Sequence, residues 1–295
     1  MGRRLTVVAA ALVVYAGVAA LFFLVATAVM RGGDGAAVFG GRVAVVEVEG
    51  IILDVETLLR DLRAHRDNPL VRAVVVRINS PGGVVGPTQE VHDAVVRLRQ
   101  AGKPVVASLG AVAASGGYYI ATAADEIYAN PGTLTGSIGV IMQMPNVEAL
   151  MKRVGVDWVV VKAGTYKDLG NPGRPMTAEE RRVLQALLDD VHGQFIAAVA
   201  EGRKLEPEEV ARFADGRIFS GTQARALKMV DTLGSLEDAI LAAARRADLP
   251  TPPAVIRPRR KLSVFDLLSS ELGLGTGLLG RPTLPVFKTP LYLMD

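Results

Sequence analysis

The stretch AVAASGGYYIA, residues 111–121, places Ser115 among small residues, follows it with Gly116 and Gly117, and runs into an apolar segment of helical character. A hydroxyl at the start of a helix meets free backbone N–H groups and a partial positive charge. That position suits a nucleophile, because the same N–H groups stabilise the oxyanion its attack creates. Two glycines leave room for a substrate backbone, and the glycines of SPGG, residues 80–83, offer further donors from a neighbouring loop. The plainer reading is that Ser115 caps the helix.

A serine hydroxyl is a poor nucleophile without a base. The chain has three histidines, His65, His92 and His192. Each falls in a predicted helix among other charges, reads as a surface or capping residue, and argues against a Ser-His-Asp triad. Lysine is the remaining base. VVVKAGTYKDLGNPGRPM brings Lys162 and Lys167 to the end of an apolar run, and the residues alone leave both open. A lysine base must be neutral, which means lowering an ordinary pKa of about 10.4 by about three units, roughly 4 kcal/mol of desolvation. A water-poor pocket supplies that; Lys167, in a polar, glycine-bounded loop, reads as solvated unless something covers it.

The elements that would hold these groups alternate. Strands are predicted at 42–50, 71–79, 103–109, 126–129, 137–143 and 157–164, with SPGG ending the second and a glycine- and threonine-rich loop at 131–137. Helices are predicted at 54–66 with Asp54 as N-cap, 87–101, 146–154, 206–214 and 221–228. A further long helix, at 177–202, opens on the Thr177/Glu180 capping box. Alternating strands and helices imply an α/β fold with a mostly parallel sheet. The β-branched run VRAVVVRIN is that of a strand buried on both faces. Sites in such sheets gather beyond the carboxyl ends of the strands.

The first 30 residues are of another kind. Arg3 and Arg4 precede 26 uncharged residues, Leu5 to Met30. That is longer than a cleavable signal core and long enough to span a bilayer. The segment 1–30 is expected to be a retained transmembrane anchor and 31–41 a flexible linker. The arginines would keep the N-terminus cytoplasmic and the remaining domain outside. The absence of cysteine fits an oxidising compartment and excludes thiol nucleophiles. The net charge of +3 and the lack of basic-aromatic interleaving point away from nucleic acid. The one basic run, Arg257 to Lys261, reads as a solvated surface or a contact with anionic lipid.

Taken together, RINSPGG, ASGGYYIA, TGSIGV, KAGTYKDLGNPGRPMTAEER and GRIFSGTQARALKMVDTLG resemble the signal peptide peptidase A family of bacterial serine peptidases. The likeness covers roughly residues 42–250, leaving 251–295 as a C-terminal extension. It implies a Clp/crotonase-like fold, Ser115 as nucleophile, Lys167 as general base and Ser137 as a hydroxyl that helps position the lysine. Gly82 or Gly83 would join Gly116 in the oxyanion hole. No metal or other cofactor is implied. The family also implies a homo-oligomeric ring, commonly of eight, in which serine and lysine meet across a subunit boundary, set on the extracytoplasmic side of the bacterial cytoplasmic membrane. Cleaved signal peptides would be the substrates. One departure is visible: Lys228 stands where the family usually has glycine. Two alternatives remain, a crotonase-type acyl-CoA enzyme and a non-catalytic membrane scaffold. In the tail, TPLYLMD is a candidate self-substrate, lying extended in the active-site groove.

Overall fold

The structure, a computed structural model, describes residues 15–22, 41–257 and 291–293. Most of the expected anchor and linker lies outside these residues. Residues 15–22 are helical, and among the described residues no helix is long and apolar enough to cross a membrane.

Nine strands form one sheet among the described residues: β1 (Arg42–Ile52), β2 (Val71–Val84), β3 (Val105–Ala114), β4 (Glu126–Ala129), β5 (Leu134–Gly136), β6 (Ile218–Ser220), β7 (Thr232–Leu233), β8 (Ala254–Ile256) and β9 (Leu291–Leu293). The main order is β6-β5-β3-β2-β1-β8, with β4 and β7 branching from β3 and β9 pairing with β2. Every pairing is parallel except β5 with β6 and β2 with β9. The expected α/β architecture with a mostly parallel sheet is therefore present.

Eight helices cover it: α1 (Glu56–Asp67), α2 (Val85–Gln100), α3 (Gly116–Thr122), α4 (Glu148–Arg153), α5 (Ala178–Arg203), α6 (Pro207–Ala211), α7 (Gly221–Ala226) and α8 (Leu236–Arg246). Alternate residues of the central strands face opposite ways. Val46, Val74, Val76 and Ile78 join the larger core with residues of α1, α2, α3 and α5, while Val43, Ala73, Val75 and Val106 meet the alanine-rich face of α8. Burial on both faces is why these strands are continuous apolar runs.

Several predicted boundaries move. SPGG does not end β2, which runs on to Val84. The 131–137 loop contains β5, and Asp54 does not cap α1: that place falls to Val55, while the Asp54 carboxylate accepts from the Glu56 N–H. Neither 137–143 nor 157–164 is a strand. At Ser137 the chain turns through a φ of 51°, which takes it off the sheet directly after β5. The valines of 157–164 find no sheet edge to bury them; Val159 is 83% and Val161 96% exposed. The Thr177/Glu180 capping box forms as expected. Lys228 adopts a φ of 58°, the left-handed conformation that glycine takes without penalty and lysine at about 1 kcal/mol.

Helix α5 lies close to the end of α3. A Cβ on Gly202 would fall 2.2 Å from the Thr122 carbonyl oxygen, whereas one on Gly193, in the same helix, would meet nothing within 4 Å. Gly202→Ala should therefore destabilise by about 1–3 kcal/mol through overpacking. Gly193→Ala should stabilise by about 0.5–1 kcal/mol by helix propensity. Denaturant unfolding of the two variants beside wild type checks both signs.

Candidate active site

Strand β3 delivers Ser115 to the carboxyl edge of the sheet, and α3 begins at the next residue. Ser115 has a φ of 51°, uncommon for a residue with a side chain. The turn is fixed from both sides: the Ser115 N–H donates to the Gly136 carbonyl at 2.8 Å, and its carbonyl accepts from the Tyr119 N–H at 2.9 Å. Its side chain does not cap α3. Oγ is buried without a hydrogen-bond partner among the described residues. The capping role therefore falls away, and a fully buried hydroxyl is left uncommitted at a backbone conformation that costs energy.

The three glycines expected near it do come together. A Cβ on Gly116 would lie 3.3 Å from Gly82 Cα and 3.3 Å from Gly83 N, and 2.9 Å from Thr88 Oγ1. A Cβ on Gly83 would stand 2.1 Å from the Ile52 carbonyl oxygen, so no side chain fits there. Gly82 has a φ of 108°, and its N–H donates to Ser80 Oγ at 3.1 Å. Ser80 and Thr88, both fully buried, were not singled out from sequence. Their signal was their position, two residues before Gly82 and at the buried face of α2.

Across the same glycines lies an extended backbone. Leu291–Leu293 pairs antiparallel with β2, matching Gly82 to Leu293, Gly83 to Tyr292 and Val84 to Leu291. The candidate groove thus holds residues 291–293 by main-chain pairing; the other residues of the TPLYLMD tail lie outside the described residues.

Ser137 lies beside this turn, directly after Gly136, and shares the φ of 51°. It lines a cavity of about 420 Å³ together with Asp189, His192 and Asp215. His192 Nε2 is buried there without a partner among the described residues. His92 is not the surface residue expected from sequence: its ring packs on Tyr119 at 4.9 Å between centroids, and burial pushes its pKa down. Burial also lowers His65.

The two candidate lysines separate. Lys162 pairs with Asp168 and donates to the Thr165 carbonyl at 2.8 Å. Lys167 is exposed, and its amine has no hydrogen-bond or ion-pair partner among the described residues. It therefore does not reach Ser115 within the protomer. Its loop is nevertheless anchored. Arg174 Nε donates to Asp168 at 2.9 Å, and the same guanidinium bonds Glu180, the buried capping residue of α5, with one contact of 2.8 Å. Arg174 holds both carboxyls below their usual range, taking Glu180 from its ordinary 4.5 to about 2.

A buried, unbonded serine on a strand-to-helix turn, facing a glycine cleft that accepts an extended strand, is the arrangement of a peptide-bond hydrolase. Residues 97–250 match peptidase family S49. The chain is 46% identical over 210 residues to a protein of Synechocystis sp. named as a protease, covering 70% of this chain and 75% of that one. It is 37% identical to Protease 4 of Salmonella typhi, covering 71% of this chain but only 35% of the relative. A protein of Enterococcus faecium named as a signal peptide peptidase is 34% identical, over 63% of this chain and 54% of the relative. The chain belongs to peptidase family S49 and is a serine peptidase, as the resemblance to the signal peptide peptidase A family implied. The acyl-CoA and scaffold alternatives give way to this assignment.

The Arg174 clamp gives a pH prediction. Because Glu180 is depressed in the folded state, the stability it contributes is present above its ordinary pKa and is lost as pH falls from about 4.5 towards 2. Arg174→Met should flatten the loss of thermal stability over that window. An acid melting series that stays as steep as wild type would contradict the clamp.

Proposed function

We propose that this peptidase works through a dyad of Ser115 and Lys167, completed between neighbouring copies of the chain, and that it cleaves extended apolar peptides. The observation that carries the reading is the buried, unpartnered Ser115 Oγ on a turn where Gly116 meets Gly82 and Gly83, with an extended strand paired to Gly82 and Gly83.

A neutral Lys167 amine accepts the Ser115 proton as Oγ bonds to the peptide carbonyl carbon. The carbonyl oxygen gains the negative charge and is stabilised by backbone N–H groups of Gly116 and of the Gly82–Gly83 turn. When the tetrahedral intermediate collapses, the C–N bond breaks and the lysinium gives its proton to the leaving amine. Water then attacks the acyl-enzyme, lysine takes its proton, and Ser115 is restored on release of the acid. Ser137 positions the lysine amine.

An ammonium cannot serve as this base; covering the group favours the neutral amine, which can. The stretch that leads to Lys167 exposes many apolar side chains: Val154, Val156, Trp158, Val159, Val161 and Tyr166 are all exposed in the protomer. Such a patch beside a reactive group favours burial by a second copy. A closed ring, with eight members as the family implies, would supply each serine with a neighbour's lysine and admit only unfolded chains. Anchored through residues 1–30, with the ring on the extracytoplasmic face, the particle would meet cleaved signal peptides where they lie. The 291–293 strand occupies the place such a peptide would take, and the tail is on this reading a tethered substrate or product.

Ser115→Ala should abolish hydrolysis of an apolar reporter peptide, and Lys167→Ala should lower it by about 10²–10⁴-fold. Co-refolding the two inactive variants should restore part of the activity, because some sites then pair an intact serine with an intact lysine from another chain. No recovery in mixed particles would overturn the shared dyad, while retained activity in Ser115→Ala would overturn the nucleophile.

A further inference from the structure

Strand β8 pairs with β1 only through Arg42–Ala254, Val43–Val255 and Ala44–Ile256. β1 continues to Ile52, but among the described residues no strand pairs with its outer edge beyond Ala44. An edge of unpaired N–H and C=O groups is a ready template for another strand. Here it forms one wall of a cavity of about 370 Å³, with α1 as the other. The lining is acidic: Glu47 and Glu49 come from β1, Asp54 from the turn, and Asp61, beside His65, from α1. None of the four carboxylates forms an ion pair among the described residues. The charged groups that face them are His65 and Arg77, which lies near Glu47.

We propose that this groove is the docking site for the chain's own basic stretch, Arg257 to Lys261, which continues β8 in parallel along the free edge of β1. The register decides the match. Carrying the observed pairing forward sets Arg259 beside Glu47 and Lys261 beside Glu49 on one face, with Arg260 on the face that holds Asp61. The one concentrated run of cations in the sequence thus meets the unpaired carboxylates residue by residue. Pro258 is compatible with an edge strand.

The ends of the chain agree. Ile256 stands at the level of Ala44, whereas Leu291–Leu293 lies on Gly82–Val84, and Gly82 and Gly83 pair also with Ile51 and Ile52. Between those levels β1 climbs about 26 Å at ~3.3 Å per residue. A strand through Lys261 carries the chain about 16 Å of that distance, from the level of Ala44 to that of Glu49, towards the candidate groove.

The absence of cysteine permits a direct test in the full-length chain. Neighbouring strands lie about 4.8 Å apart, within disulfide reach. Glu49→Cys with Lys261→Cys should oxidise within one chain, losing its free thiols and migrating faster on a non-reducing gel. Glu49→Cys with Arg260→Cys, whose side chains face opposite ways, should not. Folded variants that fail to cross-link, that link equally in both phases, or that link one chain to another would overturn the proposal. Should the cysteine variants not fold, charge reversal decides. Glu47→Lys with Glu49→Lys should lower the melting temperature in low salt, and adding Arg259→Glu with Lys261→Glu should restore it. Additive losses in the fourfold variant would overturn the pairing.

Discussion

A serine held at a φ of 51° between the last residue of β3 and the first turn of α3 is the constraint on which this molecule is arranged. A side chain at that backbone angle is unfavourable by itself, and it persists only where neighbours over-determine it. Here they do. The Gly136 carbonyl holds the Ser115 N–H, the first turn of α3 uses its carbonyl, and a Cβ would fall 2.9 Å from Thr88 Oγ1 of α2 at Gly116 and 2.9 Å from the Ser80 carbonyl oxygen of β2 at Gly117. Tyr118, wholly buried in α3, donates its hydroxyl to the Met229 carbonyl at 3.0 Å and ties the turn to a distant part of the chain. The result is a hydroxyl that the fold has set in place but not used.

The remainder of the site follows from sheet geometry. β2 continues past SPGG because Gly82 and Gly83 let it pass within backbone contact of Ile52, and that continuation makes the cleft wall. The same wall offers main-chain groups to an extended strand, so recognition rests on backbone pairing and is compatible with many sequences. The candidate base, Lys167, stands on an anchored but solvent-facing loop, and Val154, Val156, Val159 and Val161 before it are exposed; in the proposed assembly a neighbouring copy covers them. The Arg174 bridge between Asp168 and Glu180 fixes that loop to the start of α5.

The sequence made much of this legible, for identifiable reasons. Continuous β-branched runs gave the central strands, the Thr177/Glu180 box gave the start of α5, and the small residues around Ser115 marked the turn. What stayed hidden depends on contacts between distant segments. SPGG reads as a break, yet a strand follows its own pairing partners when glycine fits. The valines of 157–164 carry strand propensity without a sheet to join. Lys162 and Lys167 were equivalent until Asp168 claimed one of them. The burial of His92 against Tyr119 could not be read from local pattern at all, and of the tail only an extended course in the groove was expected, not the pairing of 291–293 on β2.

In the proposed mechanism a dry, uncharged amine arrives at Ser115 from outside the protomer. An experimental structure of the assembled particle measures this directly. The prediction is a neighbouring copy's lysine at position 167, enclosed by the apolar 154–161 segment, with Nζ about 2.6–3.2 Å from Ser115 Oγ. An assembled particle in which Lys167 remains in solvent, with another group bonded to Ser115 Oγ, would contradict it.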